Sequence, residues 1–351
     1  MKKSKIWGIC FILLIILSLL FLAGITIVID PFFHYHAPIS KLNYPINNQR
    51  YQNDGIVKNF EYDAIITGTS MTENFKTTEC DKLFNVKSIK VPFAGASYYE
   101  INNNLKVAFS VNSDIKLVIR ALDGDRLRED KDLLSYDSYP TYLTDENIFN
   151  DVKYLLNKNI LINYSLGVLN YTKAEKNTTT FDEYSNWSNN TKYGKDVILS
   201  KYVRPKKNDI VLEFNEQNKQ EIYDNINQNV IELAKQNPDT QFYYFFPPYS
   251  IYYWDALNQK GIIKLDLDSY KYATQLMLEQ ENIHLFAFFE EYELIVSCKE
   301  HKDRFHYSEK INTKILEWMA NDQYRLTKEN YEEYWNKISE IYLNVDYDSL
   351  F

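Results

Sequence analysis

A chain of 351 residues with 45% hydrophobic and 25% charged content is long enough for one large globular domain with insertions. Its net charge of -9 argues against nucleic acid or an anionic membrane surface as the main partner. With only 9 glycines and neither Gly-x-Gly-x-x-Gly nor Gly-x-x-x-x-Gly-Lys, a Gly-rich phosphate loop is excluded.

The N-terminus carries the first clear element. Lys2, Lys3 and Lys5 precede an uncharged run over 6–29. As a helix that run is about 36 Å long, enough to cross the hydrocarbon core with some tilt. The basic flank, residues 1–5, then stays in the cytoplasm, and everything after Asp30 lies outside the cell membrane as a single-pass protein. A cleaved signal peptide is the alternative, although the run is long for one and no Ala-x-Ala site follows it. Either way the domain is extracytoplasmic, away from ATP and NAD, and no cofactor is expected. Of the 3 cysteines, Cys10 lies in the apolar run, and Cys80 and Cys298 are open to pairing or to remaining free. His34 and His36 have no further ligands at useful spacing and no Cys-x-x-Cys exists, so no metal is expected.

Residues 30–59 read as a polar linker that also packs on the domain surface. A strand-helix rhythm follows: strand 62–67, helix 73–83, strand 86–93, helix 98–109, strand 115–122. Such alternation predicts a parallel sheet in an α/β fold. The rhythm breaks over about 125–208, a polar insertion expected to carry short helices and to cover the sheet's carboxyl edge. It resumes with helix 219–236, a strand over 241–246 stopped by Pro247 and Pro248, helix 267–280, strand 284–289 and helix 308–319. A tail, 321–351, contains a charged amphipathic helix over 327–343 expected on the exterior. The 30 tyrosines either fill the core or offer flat faces on which sugars stack.

In an open parallel sheet, ligands bind beyond the carboxyl ends of the strands. The polar residues of interest fall at such ends: Ser70 after the first strand, Gly95 and Ser97 after the second, Asp123 after the third, and Tyr249 and Ser250 after the fourth. Asp303 and His306 stand in the last loop before the helix at 308. A serine on a strand-to-helix turn becomes a nucleophile beside a base, and an Asp-x-x-His unit supplies the base and the carboxylate that orients it. The bland alternatives are a helix-capping Ser70, a packed His306, and a metal site formed by His301, Asp303 and His306. Arg120, Arg126 and Arg128 are either solvated charges or contacts to an anionic polymer.

These residues resemble the blocks of the SGNH/GDSL hydrolase superfamily over roughly 60–320. Gly68-Thr69-Ser70 is similar to the family's Gly-Asp-Ser block, Gly95 to its second-strand glycine, and Asp303-Arg304-Phe305-His306 to its Asp-x-x-His block. The Gly-x-Asn-Asp block is missing: that place reads Leu122-Asp123-Gly124-Asp125, with no asparagine. The resemblance implies a flavodoxin-like parallel sheet with helices on both faces. It implies a triad of Ser70, His306 and Asp303, and an oxyanion hole from the backbone N–H groups of Ser70 or Met71 and of Gly95. Asn74 stands in for the absent asparagine, and Asp123, Tyr249 and Ser97 line the substrate cleft. The implied activity is that of a membrane-anchored serine esterase or O-acyltransferase on a cell-envelope polysaccharide or teichoic-acid-like polymer, with a membrane acyltransferase as a candidate partner. The alternative is an inactive glycan-binding or assembly protein of the same fold.

Overall fold

The computed structural model describes residues 2–136, 140–145 and 147–351. They form two compact units, Met1–Phe60 with Ser138–Thr180, and Glu61–Asp137 with Phe181–Phe351. The insertion expected over 125–208 is therefore divided. Its middle folds with the N-terminal segment, and its last part, from Phe181, folds with the sheet.

The second unit is α/β. Its sheet has six strands, β1 (Ala64–Gly68), β2 (Ser88–Pro92), β3 (Leu117–Ala121), β4 (Gln241–Phe246), β5 (Ile283–Ala287) and β6 (Arg325–Leu326), in the order 2-1-3-4-5-6. The pairs from β2 through β5 are parallel, and the two-residue β6 adds antiparallel to β5 at the edge. Every residue of β1, β2 and β3 is buried, as expected of strands covered on both faces. The winding reverses between β1 and β3. A doubly wound sheet opens a crevice at the carboxyl ends of such a pair.

Two long cations lie inside this sheet, and their buried heads donate to backbone oxygens, with Arg120 Nε left without a partner among the described residues. Lys90 of β2 donates through Nζ to the carbonyls of Glu73 and Phe75, the latter at 2.8 Å. Burial pushes its ammonium pKa down to about 7, against the pull of Asp182 and Glu73. Arg120 of β3 donates to the carbonyls of Asn229 (2.7 Å) and Tyr98 (3.2 Å). Arg120 is thus neither solvated nor a polymer contact.

The helices follow the apolar periodicity with local departures. The helix Tyr98–Val111 starts at a capping box in which Ser97 accepts from the Glu100 N–H and Glu100 accepts from that of Ser97. The stretch expected over 219–236 is helical from Glu216 to Gln236, with one wide turn at Asn227–Ile231. A helix at Ile251–Gln259 was not foreseen. Eight of its residues, Trp254 among them, are buried, so it lacks the amphipathic stripe that marks a surface helix. The tail is also less peripheral than expected. In the helix Tyr331–Leu343, Trp335, Ile338 and Tyr342 are fully buried, and Trp335 donates to Thr274 Oγ1 at 3.0 Å. Many tyrosines fill cores, with Tyr98, Tyr244, Tyr249, Tyr252, Tyr270 and Tyr307 fully buried in this unit. Cys80 and Cys298 are buried free thiols whose pKa values burial pushes up to about 12 and about 11.

In the first unit, one helix, Lys3–Ile29, is long and apolar enough to cross a membrane. Residues 30–59, expected as a linker, are folded. Asp30 takes a left-handed conformation (φ 43°), and its carboxylate accepts from the N–H groups of His34, Tyr35 and His36 and from the Tyr154 hydroxyl. The Gln52 side-chain amide ties together Pro31, Pro45, Asn47 and Asn48. Phe32, Leu143, Tyr154 and Ile160 form a small core.

Candidate active site

β1 ends at Gly68, whose φ of +143° favours glycine. A Cβ there would come within 2.8 Å of Thr72 Cγ2 and 3.0 Å of Ala121 Cβ. The chain then turns through the short helix Ser70–Thr72, which leaves the Ser70 side chain half-buried at the carboxyl edge. Two ties hold this turn. Lys90 grips the carbonyls of Glu73 and Phe75, and Asn312, on the helix Glu309–Ala320, donates to the Met71 carbonyl at 3.0 Å.

The loop before that last helix brings His306 to Ser70. Ser70 Oγ lies 2.8 Å from His306 Nε2, and His306 Nδ1 lies 2.9 and 3.0 Å from the two oxygens of Asp303. The N–H groups of Phe305 and His306 also donate to Asp303 Oδ1, at 2.9 and 2.8 Å. Burial pushes the Asp303 carboxyl up, but the His306 imidazole and these two amides outweigh it, and its pKa falls to about 2. A carboxylate on Nδ1 puts the lone pair of neutral imidazole on Nε2, facing the serine hydroxyl. His301 takes no part: it is fully buried and donates from Nε2 to the Pro248 carbonyl at 3.0 Å. Among the described residues, no group of three or more His, Cys, Asp or Glu side chains is arranged to hold a metal ion.

Thr69, Ser70, Met71, Gly95, Asp123 and His306 line a cleft of about 140 Å³, whose other walls include Asp125, Arg126, Tyr249 and Phe305. Gly95 has φ +69°, which favours glycine, and open space where a Cβ would stand. Among the described residues, neither the Ser70 N–H nor the Gly95 N–H has a hydrogen-bond acceptor, so two backbone donors border the cleft unspent. The Met71 N–H leans on Thr69 Oγ1 at 3.5 Å, which leaves Ser70 the freer donor on this turn.

Asn74 is not at the cleft. It is buried, its Nδ2 donates to the Tyr307 carbonyl (3.3 Å) and its Oδ1 accepts from the Trp187 N–H (3.1 Å). Both ends of the amide are committed, so the expected oxyanion donor is corrected to a brace between two loops. Ser97 is corrected likewise. It is buried as a helix cap and donates to the Leu133 carbonyl at 2.5 Å.

Asp123 and Tyr249 do line the cleft, bonded to each other. Asp123 accepts from the Tyr249 hydroxyl through Oδ1 and from Thr69 Oγ1 through Oδ2 (2.7 Å), and its backbone carbonyl accepts from Tyr98 at 2.8 Å. Burial, with the nearby Asp125, raises its pKa to about 6 against the hydroxyl bonds that favour the charge. Asp123 thereby fixes the residue before Ser70, and its ionised form has no proton to give an oxyanion.

Three other residues at the site were not singled out by sequence pattern. Trp187 packs edge-on against the His306 ring (centroids 5.7 Å apart), and its indole N–H donates to Glu73 Oε2 at 2.8 Å. Lys302 Nζ sits 3.2 Å from the centroid of the Trp187 ring. Phe305 stands edge-on to Tyr249 at 5.3 Å. A lone tryptophan within the polar tract 173–195 was the available signal for Trp187. Of the arginines, Arg128 is paired with Asp266 and Ser269, and Arg126 is paired with Glu129 while also lining the cleft, where it donates to the Gly95 carbonyl at 3.4 Å.

A serine hydroxyl, an imidazole, a carboxylate and two free amides at one sheet edge are the groups that acyl transfer requires. Comparison with family models, with curated proteins and with solved structures returned no match to this chain.

Proposed function

We propose that the protein is a membrane-anchored serine acyl-transfer enzyme of SGNH type, an esterase or O-acyltransferase working outside the cell on acyl esters of an envelope glycan or polymer. The observation that carries this reading is the relay from Ser70 Oγ through His306 to Asp303, with contacts of 2.8 and 2.9 Å. His306 Nε2 takes the Ser70 proton as Oγ attacks the acyl carbonyl. Asp303 steadies the imidazolium, and the N–H groups of Ser70 and Gly95 receive the oxyanion. His306 then returns the proton to the leaving alcohol, and an acyl-Ser70 ester remains. Water or a sugar hydroxyl completes the turnover by the reverse steps. The roughly 140 Å³ cleft is small beside ligand sites of about 300–1,000 Å³, which supports a short acyl group such as acetyl. The basic flank before the helix supports a cytoplasmic N-terminus.

A second reading has one specific observation behind it. Asp123, a carboxylate lining the cleft, occupies the sequence position at which the resemblance implies an oxyanion-hole asparagine, and loss of one such donor costs about 2.7–4 kcal/mol of transition-state stabilisation. In that reading the fold binds an envelope glycan and does not turn it over. The test is to treat the full chain in detergent with a fluorophosphonate probe and with p-nitrophenyl acetate and octanoate, beside Ser70→Ala. We expect labelling and acetate hydrolysis by the parent, little octanoate hydrolysis, and loss of both signals in the variant. Labelling that survives Ser70→Ala removes Ser70 as nucleophile; no labelling of the parent selects the binding reading.

A further inference from the structure

The first unit carries a face that its own core does not need. Ile148 and Phe149 are 73% and 86% exposed, and Val152, Ile162 and Leu166 are exposed on the short helical segments Val152–Leu155, Ile160–Ser165 and Leu166–Lys173, as is Leu156 just after the first of them. Soluble surfaces scatter such residues singly; a run of them marks an interaction site.

Where these segments pack says what covers them. The first two lie against the N-terminal helix and the third packs on the second, and Thr26 Oγ1 donates to the Leu155 carbonyl at 3.2 Å. Along that helix the apolar side chains are mostly exposed as far as Phe21, whereas 22–25 are half-buried and Thr26 is buried. The shoulder therefore begins about 10 Å before the helix ends at Ile29, within the apolar run itself. Interfacial helices bury their apolar faces about 5–10 Å into the boundary between headgroups and acyl chains, a comparable depth. Ile27 and Val28, in the last turn, also remain exposed and apolar. Lys153, on the first segment, and Lys158, just before the second, are exposed, with stems long enough to carry their charges up to the phosphates.

We infer that the face built by Ile148, Phe149, Val152, Leu156, Ile162 and Leu166 is embedded in the interfacial layer of the bilayer that the N-terminal helix crosses, with phospholipid as its ligand. The first unit is then a membrane-seated collar, held by one spanning helix and by a second, shallow apolar contact. This inference rests on the membrane anchor, and is independent of the serine chemistry.

The test uses the full chain with Cys10→Ala in phosphatidylethanolamine and phosphatidylglycerol vesicles, with nitroxide labels at Phe149→Cys, Ile162→Cys and Leu166→Cys. Leu14→Cys reports the span and Val211→Cys the aqueous side of the sheet unit. Power saturation compares access of oxygen, which concentrates in lipid, with that of a water-soluble nickel chelate. We expect nickel access to be lost at 149, 162 and 166, as at 14, and retained at 211. Nickel access at the three sites with a lipid-exposed Leu14→Cys overturns the collar and leaves the anchor standing. Nickel access at all five overturns both. Shielding of the three sites from both reagents overturns lipid as the occupant in favour of a protein, a second copy included. Circular dichroism matching the parent establishes that each variant is folded, and labels at Ile148→Cys and Leu156→Cys repeat the reading on the same face.

Discussion

Asp123 lines the cleft and Asp303 stands behind His306, and the surroundings of these two acids push them in opposite directions. At Asp303 the imidazole and two amides prevail over burial and hold the pKa near 2, below the ordinary 3.8. Its contribution to stability is complete above pH 3.8 and is lost as pH falls toward 2. Asp303→Asn removes that slope and leaves His306 without its orienting charge. We expect acetate hydrolysis to fall on the order of 10⁴-fold, measured by steady-state kinetics, with fluorophosphonate labelling slowed in parallel. At Asp123 burial prevails and the pKa rises to about 6. The folded state then holds a proton that the unfolded state has released, so stability falls as pH rises from 3.8 through about 6 and is flat above. Asparagine resembles the protonated acid. Asp123→Asn should match the parent in urea unfolding at pH 4 and exceed it by roughly 3 kcal/mol at pH 8.

At the scale of elements, the site depends on how β1 hands over to the turn that carries Ser70. Lys90 stitches that turn to β2 through two carbonyls, deep in the sheet. Lys90→Met keeps the bulk and leaves both acceptors unpaired. We expect a loss of about 1–3 kcal/mol in chemical denaturation, with slower labelling of Ser70. Because burial lowers the Lys90 pKa to about 7, the unfolded state binds the extra proton between pH 7 and 10.5, and parent stability rises over that interval; the methionine variant lacks the rise. The strand rhythm of β1, β2 and β3 was legible because parallel strands covered on both faces read as short apolar runs between turn residues. The helix Ile251–Gln259 was not, since a segment buried on nearly every side has no contrast between its faces.

At the scale of the whole molecule, a second centre of packing lies in the C-terminal tail. Trp335 stacks on Tyr270, with centroids 5.4 Å apart, and meets Phe289 at 5.7 Å and Phe246 at 6.0 Å. Trp335→Ala should cost about 3–5 kcal/mol, seen as a lower denaturation midpoint, although the residue lies outside the span that carries the motifs. The charged face of this helix suggested a peripheral element, and the aromatic face turned out to be core.

Sequence by itself determined the alternation of strand and helix, the apolar N-terminal helix and the pairing of Asp303 with His306, because each is written in local pattern: burial period, length of an apolar run, and spacing within a single loop. Tertiary structure alone decided the rest. It took Asn74 and Ser97 away from the cleft, because whether a polar side chain is free depends on which distant partner it meets, here Tyr307, Trp187 and Leu133. It brought Trp187 onto the imidazole and Asp123 onto Thr69 and Tyr249, contacts between residues 54–126 positions apart in the chain. It also joined residues 138–180 to the N-terminal helix, since an irregular polar segment acquires a place only from the core it completes.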